Sequence, residues 1–219
     1  MNQLSRRQVE IVEFAEKVYH SGLRHSGVNG TLYENKLIQF LREDVPKLDF
    51  YRGQIRYGNR SSSQYDIIIC KKGIRQHEFL KEVDPFVNII DESDCLGVIE
   101  LKKWGNPKMI SPNGSIENAY RKFKSDFPDL SYLFVTIRFK DRKRLKEKKW
   151  IELSDELRTD GNFCFFGNVY NSDKEWEFPW VNNKLLIERN RSYLGEYERL
   201  IRKIEVLSLK VPPSAGADL

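Results

Sequence analysis

The sequence predicts a mixed α/β fold, because two hydrophobic patterns alternate along the chain. Segments with apolar residues at three- and four-residue spacing, typical of amphipathic helices, alternate with short apolar runs typical of strands. The composition of the 219 residues, 40% hydrophobic and 32% charged, is that of a globular protein large enough to bury a core. We therefore expect one domain with appended segments.

Charge and cysteine content narrow the class of protein. No apolar run approaches the roughly 18 residues that span a membrane, and charged residues interrupt the apolar positions near the N terminus, so we expect a cytoplasmic protein without a membrane partner. Cys70, Cys95 and Cys164 form no CxxC pair, which fits a reducing cytosol and argues against a zinc site. The net charge of +5 favours a polyanionic partner only weakly, because acidic residues are almost as numerous as basic ones.

Two helices are predicted before the first strand. Residues 5–19 show helical spacing, and residues 21–30 contain three glycines, which predicts a loop. Residues 31–44 place large apolar side chains on one stripe, with Glu34 at its border. Glu34 also follows Thr31 by three residues, the spacing of a capping box, so a structural and a functional role are both compatible with the pattern.

Three strands are predicted next. Residues 48–58 alternate in hydrophobicity, and residues 65–70 contain a run that is apolar on both faces, with Asp66 at the start of the strand. Residues 71–94 form a long polar connection, with a short strand or helix near residues 79–87. The third strand, residues 96–102, begins apolar and ends in charged residues.

Glu100 and Lys102 share one face of that third strand, because alternate residues of a strand point the same way. A buried charge needs a partner, so the two side chains either form an ion pair with each other or Glu100 binds a divalent metal ion. If the second and third strands pair as an antiparallel hairpin, Asp66 lies beside both. The alternative for Asp66 is an exposed position at the strand start, where it caps a turn.

The second half of the sequence contains a basic segment and predicts further helices and strands. Residues 140–149 are rich in lysine and arginine, a pattern that fits either a solvated helix surface or a contact with nucleic acid. A long C-terminal helix would either pack across the domain or pair with another chain, so a homodimer is possible. The predicted elements are a helix at 115–127, strands at 130–139 and 162–170, and a helix at 186–207.

The predicted cluster of acids suits a particular chemistry. Asp66 and Glu100, with a backbone carbonyl such as that of Leu101, offer hard oxygen ligands of the kind that Mg²⁺ or Mn²⁺ prefers. Such an ion lowers the pKa of a bound water and neutralises charge on a phosphate. Lys102 could orient that water, accept its proton if its own pKa is depressed, or stabilise the anionic transition state. The expected product is a hydrolysed phosphodiester.

The order of these residues and elements resembles the PD-(D/E)XK nuclease superfamily. An acid on a helix is followed by Asp at a strand start, Glu-x-Lys at the end of the next strand, and then a helix and a strand. The stretches GTLYE, SSSQYDIII and GVIELKK are similar to a bacterial restriction-endonuclease-like group of unassigned function.

This resemblance implies a restriction-endonuclease-like core made of a helix, a three-stranded antiparallel meander, a helix and a strand. The implied divisions are an N-terminal helix and loop at 1–28, the core at 29–140, a C-terminal extension with the long helix at 141–210, and a flexible tail at 211–219.

The resemblance also implies roles for individual residues. Asp66 and Glu100 match the metal-binding acids, Lys102 the catalytic lysine, and Glu34 an auxiliary acid that reaches the metal through water. Gln64 matches less closely and is a candidate substrate contact. From the basic face of the 115–127 helix, the candidate substrate contacts are Lys122 and Lys124.

The sequence therefore predicts a Mg²⁺- or Mn²⁺-dependent endonuclease of restriction or defence type that acts on DNA, with RNA also compatible. One alternative is a catalytically silent module of the same fold that binds nucleic acid or assembles a complex. A second alternative is a purely structural ion pair between Glu100 and Lys102.

Overall fold

The computed structural model describes residues 3–22, 26–74, 82, 84–105, 109, 114–141, 163–166, 169–171 and 195–209. The strands are β1 Leu48–Tyr57, β2 Arg60–Ser61, β3 Tyr65–Lys71, β4 Val87–Asp91, β5 Cys95–Gly105, β6 Ser131–Asp141, β7 Phe163–Phe165 and β8 Val169–Asn171. The helices are α1 Gln3–His20, α2 Ser26–Asp44, α3 Ser115–Asp126 and α4 Glu196–Ser208, with a 3₁₀ turn at Glu92–Asp94.

These strands form one mixed sheet of eight strands over the described residues, with the main order β2-β1-β3-β5-β6-β7. Strands β1, β3 and β5 pair antiparallel, and β6 then pairs parallel to β5 after the connection through α3. A parallel pair requires such a crossover. The predicted core of a helix, an antiparallel meander, a helix and a strand is confirmed.

Helices cover both faces of the sheet. One face packs against α1, α2 and α4, and its buried side chains include Ile67 and Ile99. The opposite face packs against α3 and includes Ile68, Val98 and Phe123. Because successive strand residues point to opposite faces, the apolar run of β3 contributes to both cores, as expected for a central strand.

The pairing of β1 with β3 contains an irregularity next to the predicted site. The register shifts on either side of Arg52, so that two residues of β3, Asp66 and Ile67, lie opposite this one residue. A bulge of this kind leaves one residue outside the regular ladder and changes the direction of the side chains around it. Asp66 therefore lies at a break in the sheet.

Gly53 allows β4 to approach β1 beside this bulge. Its φ is +144°, and a Cβ added there would lie 1.7 Å from the backbone oxygen of Asn88 in β4. Only glycine combines this backbone conformation with so close an approach of another main chain.

Helix α2 corrects two expectations. It begins at Ser26, so the loop predicted for residues 21–30 is wrong over its second half. Gly27 and Gly30 each cost a helix about 1 kcal/mol, and the buried apolar stripe of α2 outweighs that cost. Thr31 lies inside the helix rather than at its N-cap, so the capping box with Glu34 does not form.

The long polar connection also contains more structure than expected. Strand β4 runs from Val87 to Asp91 and pairs parallel with β1. Of the element predicted near residues 79–87, residues 79–81 and 83 lie outside the described residues. Its central Asn88 and Ile90 are buried. The pairing of β4 depends on the main chain of β1. A local sequence pattern within residues 71–94 cannot predict such a long-range contact.

Several predictions concern residues that the structure does not describe, or describes only in part. The basic segment at 142–149, the residues 186–194 of the predicted long helix and the tail at 211–219 lie outside the described residues. The strand predicted at 162–170 corresponds to β7 and β8. The domain divisions stay predictions. None of the described helices is both long enough and apolar enough to cross a membrane.

Candidate active site

Strands β3 and β5 bring Asp66 and Glu100 to the same end of their shared ladder. The last regular pair joins Ile67 with Ile99, and the next residue outward on each strand is an acid. At this point the backbone N–H of Leu101 donates to Asp66 Oδ2 at 2.7 Å. Asp66 therefore does not cap a turn; its carboxylate is held against the main chain of β5.

The ammonium of Lys102 lies between these two acids. Its Nζ forms a close ion pair with Glu100 Oε1 and lies 3.9 Å from Asp66 Oδ2. One cation thus reaches both carboxylates. The two carboxylates are therefore close enough to share one cationic partner.

Glu34 approaches the cluster from helix α2. Its Oε2 lies 2.9 Å from Nε of Arg52, the residue opposite the bulge in β3. Its carboxyl group also lies within the electrostatic influence of Asp66, Lys102 and Glu100. The structure therefore brings together the four predicted residues Glu34, Asp66, Glu100 and Lys102.

Burial and mutual repulsion perturb the acids. Burial, followed by the charge of Glu100, raises the pKa of Asp66 to about 6. Burial, followed by the charge of Asp66, raises the pKa of Glu34 to about 7. Burial lowers the pKa of Lys102, but its hydrogen bond to Glu100 and the neighbouring carboxylates outweigh that effect, so its pKa is raised. Lys102 is therefore a stable ammonium in the metal-free site.

The charges in this region do not balance. The fully ionised cluster has four carboxylates, which are those of Glu34, Asp66, Asp84 and Glu100, and two cations, which are those of Arg52 and Lys102. Two negative charges are therefore in excess. A divalent cation would cancel that excess.

The donor atoms fit a hard cation, although no cage is preformed. Among the described residues, no group of three or more His, Cys, Asp or Glu side chains is arranged to hold a metal, and Lys102 occupies the space between Asp66 and Glu100. Carboxylate oxygens are the ligands that Mg²⁺ and Mn²⁺ prefer. Asp66 and Glu100 could hold such an ion once the ammonium moves aside, and the Leu101 carbonyl as a further ligand stays a prediction.

Solved structures of NucC are similar to this chain. The cAAA-bound form of E. coli MS115-1 NucC has a TM-score of 0.57 at 12% sequence identity, covering 94% of this chain and 88% of that one. The cAAA-bound form of P. aeruginosa ATCC27853 NucC has a TM-score of 0.52 at 16% identity, covering 74% of each chain. The chain has a restriction-endonuclease-like fold. No protein-family model and no curated protein matches the sequence.

Two of the candidate substrate contacts are exposed, and their role stays a prediction. Gln64 lies in the loop two residues before Asp66, and Lys122 lies on α3. Lys124 differs from the expectation, because its ammonium donates to the carbonyl oxygen of Leu130, at 2.8 Å, and to that of Pro128. Lys124 therefore holds the end of α3 against the start of β6.

Two residues near the acids were missed in the sequence. Arg52 lies in β1, whose sequence also contains Asp49 and Arg56, so nothing in the sequence distinguishes it as the buried charge of the strand. Tyr132 of β6 is 4% exposed, and its hydroxyl has no hydrogen-bond partner among the described residues. Burial, followed by the charges of Glu100 and Asp66, raises the pKa of Tyr132. No sequence pattern distinguishes this tyrosine from an ordinary core residue.

Proposed function

We propose that this protein is a Mg²⁺- or Mn²⁺-dependent endonuclease that hydrolyses DNA phosphodiester bonds and belongs to the restriction or defence type. The observation that carries the proposal is the meeting of Asp66, Glu100 and Lys102 where β3 and β5 separate. The same fold in NucC supports it. RNA is a second possible substrate of the same chemistry.

Asp66 and Glu100 would bind the ion directly, and Glu34 would act through a water. A bound divalent ion would lower the pKa of the attacking water and neutralise charge on the phosphate. The protein contributes orientation: the N–H of Leu101 fixes Asp66, and the strand pairing fixes Glu100 beside it. Their partial burial strengthens every charge interaction at the phosphate.

Lys102 would act as a cation rather than as a base. Of the roles considered for it, proton acceptance requires a depressed pKa, whereas the pKa of Lys102 is raised. Its ammonium, released from Glu100 by the incoming metal, would donate hydrogen bonds to a phosphate oxygen or to the attacking water.

The direct test is cleavage of supercoiled plasmid DNA by the purified chain in EDTA, in Mg²⁺ and in Mn²⁺. We expect nicked or linear product only with metal, and a loss of about 100-fold or more in Lys102→Ala. Lys72→Ala is the matched control, because Lys72 pairs with Asp49 in an exposed ion pair at the opposite end of β3. Equal activity of the two lysine variants would contradict the proposal.

Because both NucC structures contain cAAA, each assay is run with and without this compound. This comparison distinguishes a nuclease that needs a small ligand for activity from a protein whose site is inactive. Sedimentation of the same samples tests the proposed homodimer, which would present two sites to the two strands of a duplex.

A second candidate is a catalytically silent module that binds nucleic acid or assembles a complex. The observation that favours it is the ammonium of Lys102, which partly compensates Glu100 and Asp66 without metal. It predicts DNA binding that is unaffected by metal, with no cleavage under any of the assay conditions.

A further inference from the structure

Arg52 is a buried charge at the centre of the molecule. The residue is 8% exposed and lies on β1, opposite the bulge that carries Asp66. An arginine is always charged, and a buried guanidinium is stable only when its surroundings supply acceptors and negative charge. The partners of the Arg52 guanidinium therefore show which parts of the structure it connects.

The guanidinium of Arg52 joins three separate elements. Its Nε lies 2.9 Å from Glu34 Oε2, on helix α2, in an ion pair that lacks hydrogen-bond geometry. Its Nη1 donates to Asn35 Oδ1, also on α2, at 3.3 Å, and to Asp84 Oδ2, in the segment before β4, at 3.2 Å. The main-chain N–H of Arg52 donates to the carbonyl of Phe86 at 2.5 Å. The planar guanidinium group, called the fork below, thus links the sheet to α2 and to the segment before β4.

Glu34 depends on this fork for a defined position. It has a flexible side chain on a helix, and apart from the fork its charged neighbours in the cluster lie on the strands β3 and β5. Its Oε2 faces Arg52, and a Cβ added at Gly30 would lie 3.4 Å from its Oε1. This is an ordinary van der Waals distance, so Gly30 is not required for this position of the carboxylate. The ion pair with Arg52 is therefore the contact that holds Glu34 beside the strand ends.

We propose that Arg52 is a positioning residue of the cation site, acting through Glu34. Its guanidinium group holds the Glu34 carboxylate of α2 in an ion pair close to Asp66 on β3, which lies opposite Arg52 itself. Asp84 and Asn35 in turn fix the fork. The inference rests on the proposed function, because it concerns the same divalent ion.

Lysine is the informative replacement at this position. It retains the positive charge but lacks the planar fork that reaches Glu34 and Asp84 together. Any effect of Arg52→Lys on metal affinity then reports geometry more than charge. Arg56→Lys is the matched control, because Arg56 lies on the same strand in an exposed ion pair with Asp91.

The test is a double-mutant cycle in Mn²⁺ affinity, measured by calorimetric titration of the full chain, with folding of each variant checked by circular dichroism. We expect Arg52→Lys and Glu34→Gln each to weaken Mn²⁺ binding by about 10-fold. The variant carrying both changes should also lose about 10-fold, because each change removes the same positioned carboxylate. Arg56→Lys should bind Mn²⁺ as the wild type does.

A loss near 100-fold in the double variant would overturn the inference, since Arg52 would then act independently of Glu34. Unchanged affinity in Arg52→Lys would overturn it as well. Should the wild-type protein itself fail to bind Mn²⁺, the proposed function fails and the role of Arg52 in it fails too. Failure of the proposed function is seen in the wild-type protein alone, whereas failure of the role of Arg52 is seen only in the variants.

Discussion

Asp66 and Glu34 are two described acids whose negative charge is unfavourable in the metal-free fold, since the pKa of each is raised. Both are largely buried, and each lies within the field of other carboxylates. Lys102 and Arg52 offset this repulsion only in part, because the acids outnumber the bases in the cluster. The stability of the metal-free protein should therefore respond to pH at these two positions.

In EDTA, we expect the melting temperature to be higher at pH 5 than at pH 8. The folded-state pKa values of about 6 for Asp66 and about 7 for Glu34 exceed their ordinary values. The folded state therefore binds more protons than the unfolded state between pH about 4 and 7, and stability falls as pH rises through that window. The expected difference is roughly 2 kcal/mol, or about 4–8 °C, by circular dichroism.

The control for this prediction is the double variant Asp66→Asn and Glu34→Gln, which has no charge to lose at either position. Its melting temperature should vary much less over the same pH range. A wild-type protein that melts at the same or a higher temperature at pH 8, or a variant with an unchanged slope, would contradict the assignment.

For individual residues, the sequence predicted that Asp66, Glu100 and Lys102 lie together, and their roles stay predictions. The spacing of Glu100 and Lys102 on one strand, together with hairpin geometry, was enough to place Asp66 beside them. The partner of Glu34 was not predictable, because Arg52 reaches it from another element. The engagement of Lys124 with the carbonyls of Pro128 and Leu130 depends on the backbone conformation after α3, which the pattern of residues does not reveal.

Among the elements, the bulge between β1 and β3 has the greatest influence on the site. It places Asp66 outside the regular ladder, and it coincides with the close approach of β4 at Gly53. A change of backbone at this point should disturb both the sheet and the cluster of acids.

We expect Gly53→Ala to destabilise the protein by roughly 3 kcal/mol or more, because the new methyl group would overlap the main chain of Asn88. Gly58→Ala is the matched control. Its φ is also positive, at +54°, but no atom lies within 4 Å of an added Cβ, so we expect a cost of about 1 kcal/mol. Urea denaturation of both variants compares them. Similar losses would show that the contact with Asn88 is not the determinant.

Helices and strands with strong periodicity were predicted close to their observed positions, as with β3 and α3. The early start of α2 was not, since Gly27 and Gly30 read locally as loop residues and only tertiary packing keeps them helical. The bulge depends on the main chain of two strands at once, and no run of residues encodes it in a recognisable way.

For the molecule as a whole, the order of elements was predictable and the added pairings were not. The antiparallel meander was implied by the resemblance of the motifs to the nuclease superfamily. The parallel docking of β4 on β1 and the pairing of β7 and β8 with β6 depend on long-range contacts. Those contacts complete the sheet whose open strand ends carry the acids.

The most direct measurement is the melting temperature of the wild-type protein, Asp66→Asn and Glu100→Gln at neutral pH, with and without Mn²⁺. If Asp66 and Glu100 share one ion, saturating Mn²⁺ at about 100 times its dissociation constant stabilises the wild type by about 2.7 kcal/mol. That corresponds to roughly 5–10 °C, and each variant should lose most of this increase. A wild-type protein that melts at the same temperature with and without Mn²⁺, or variants that gain as much as it does, would contradict a metal site between these two carboxylates.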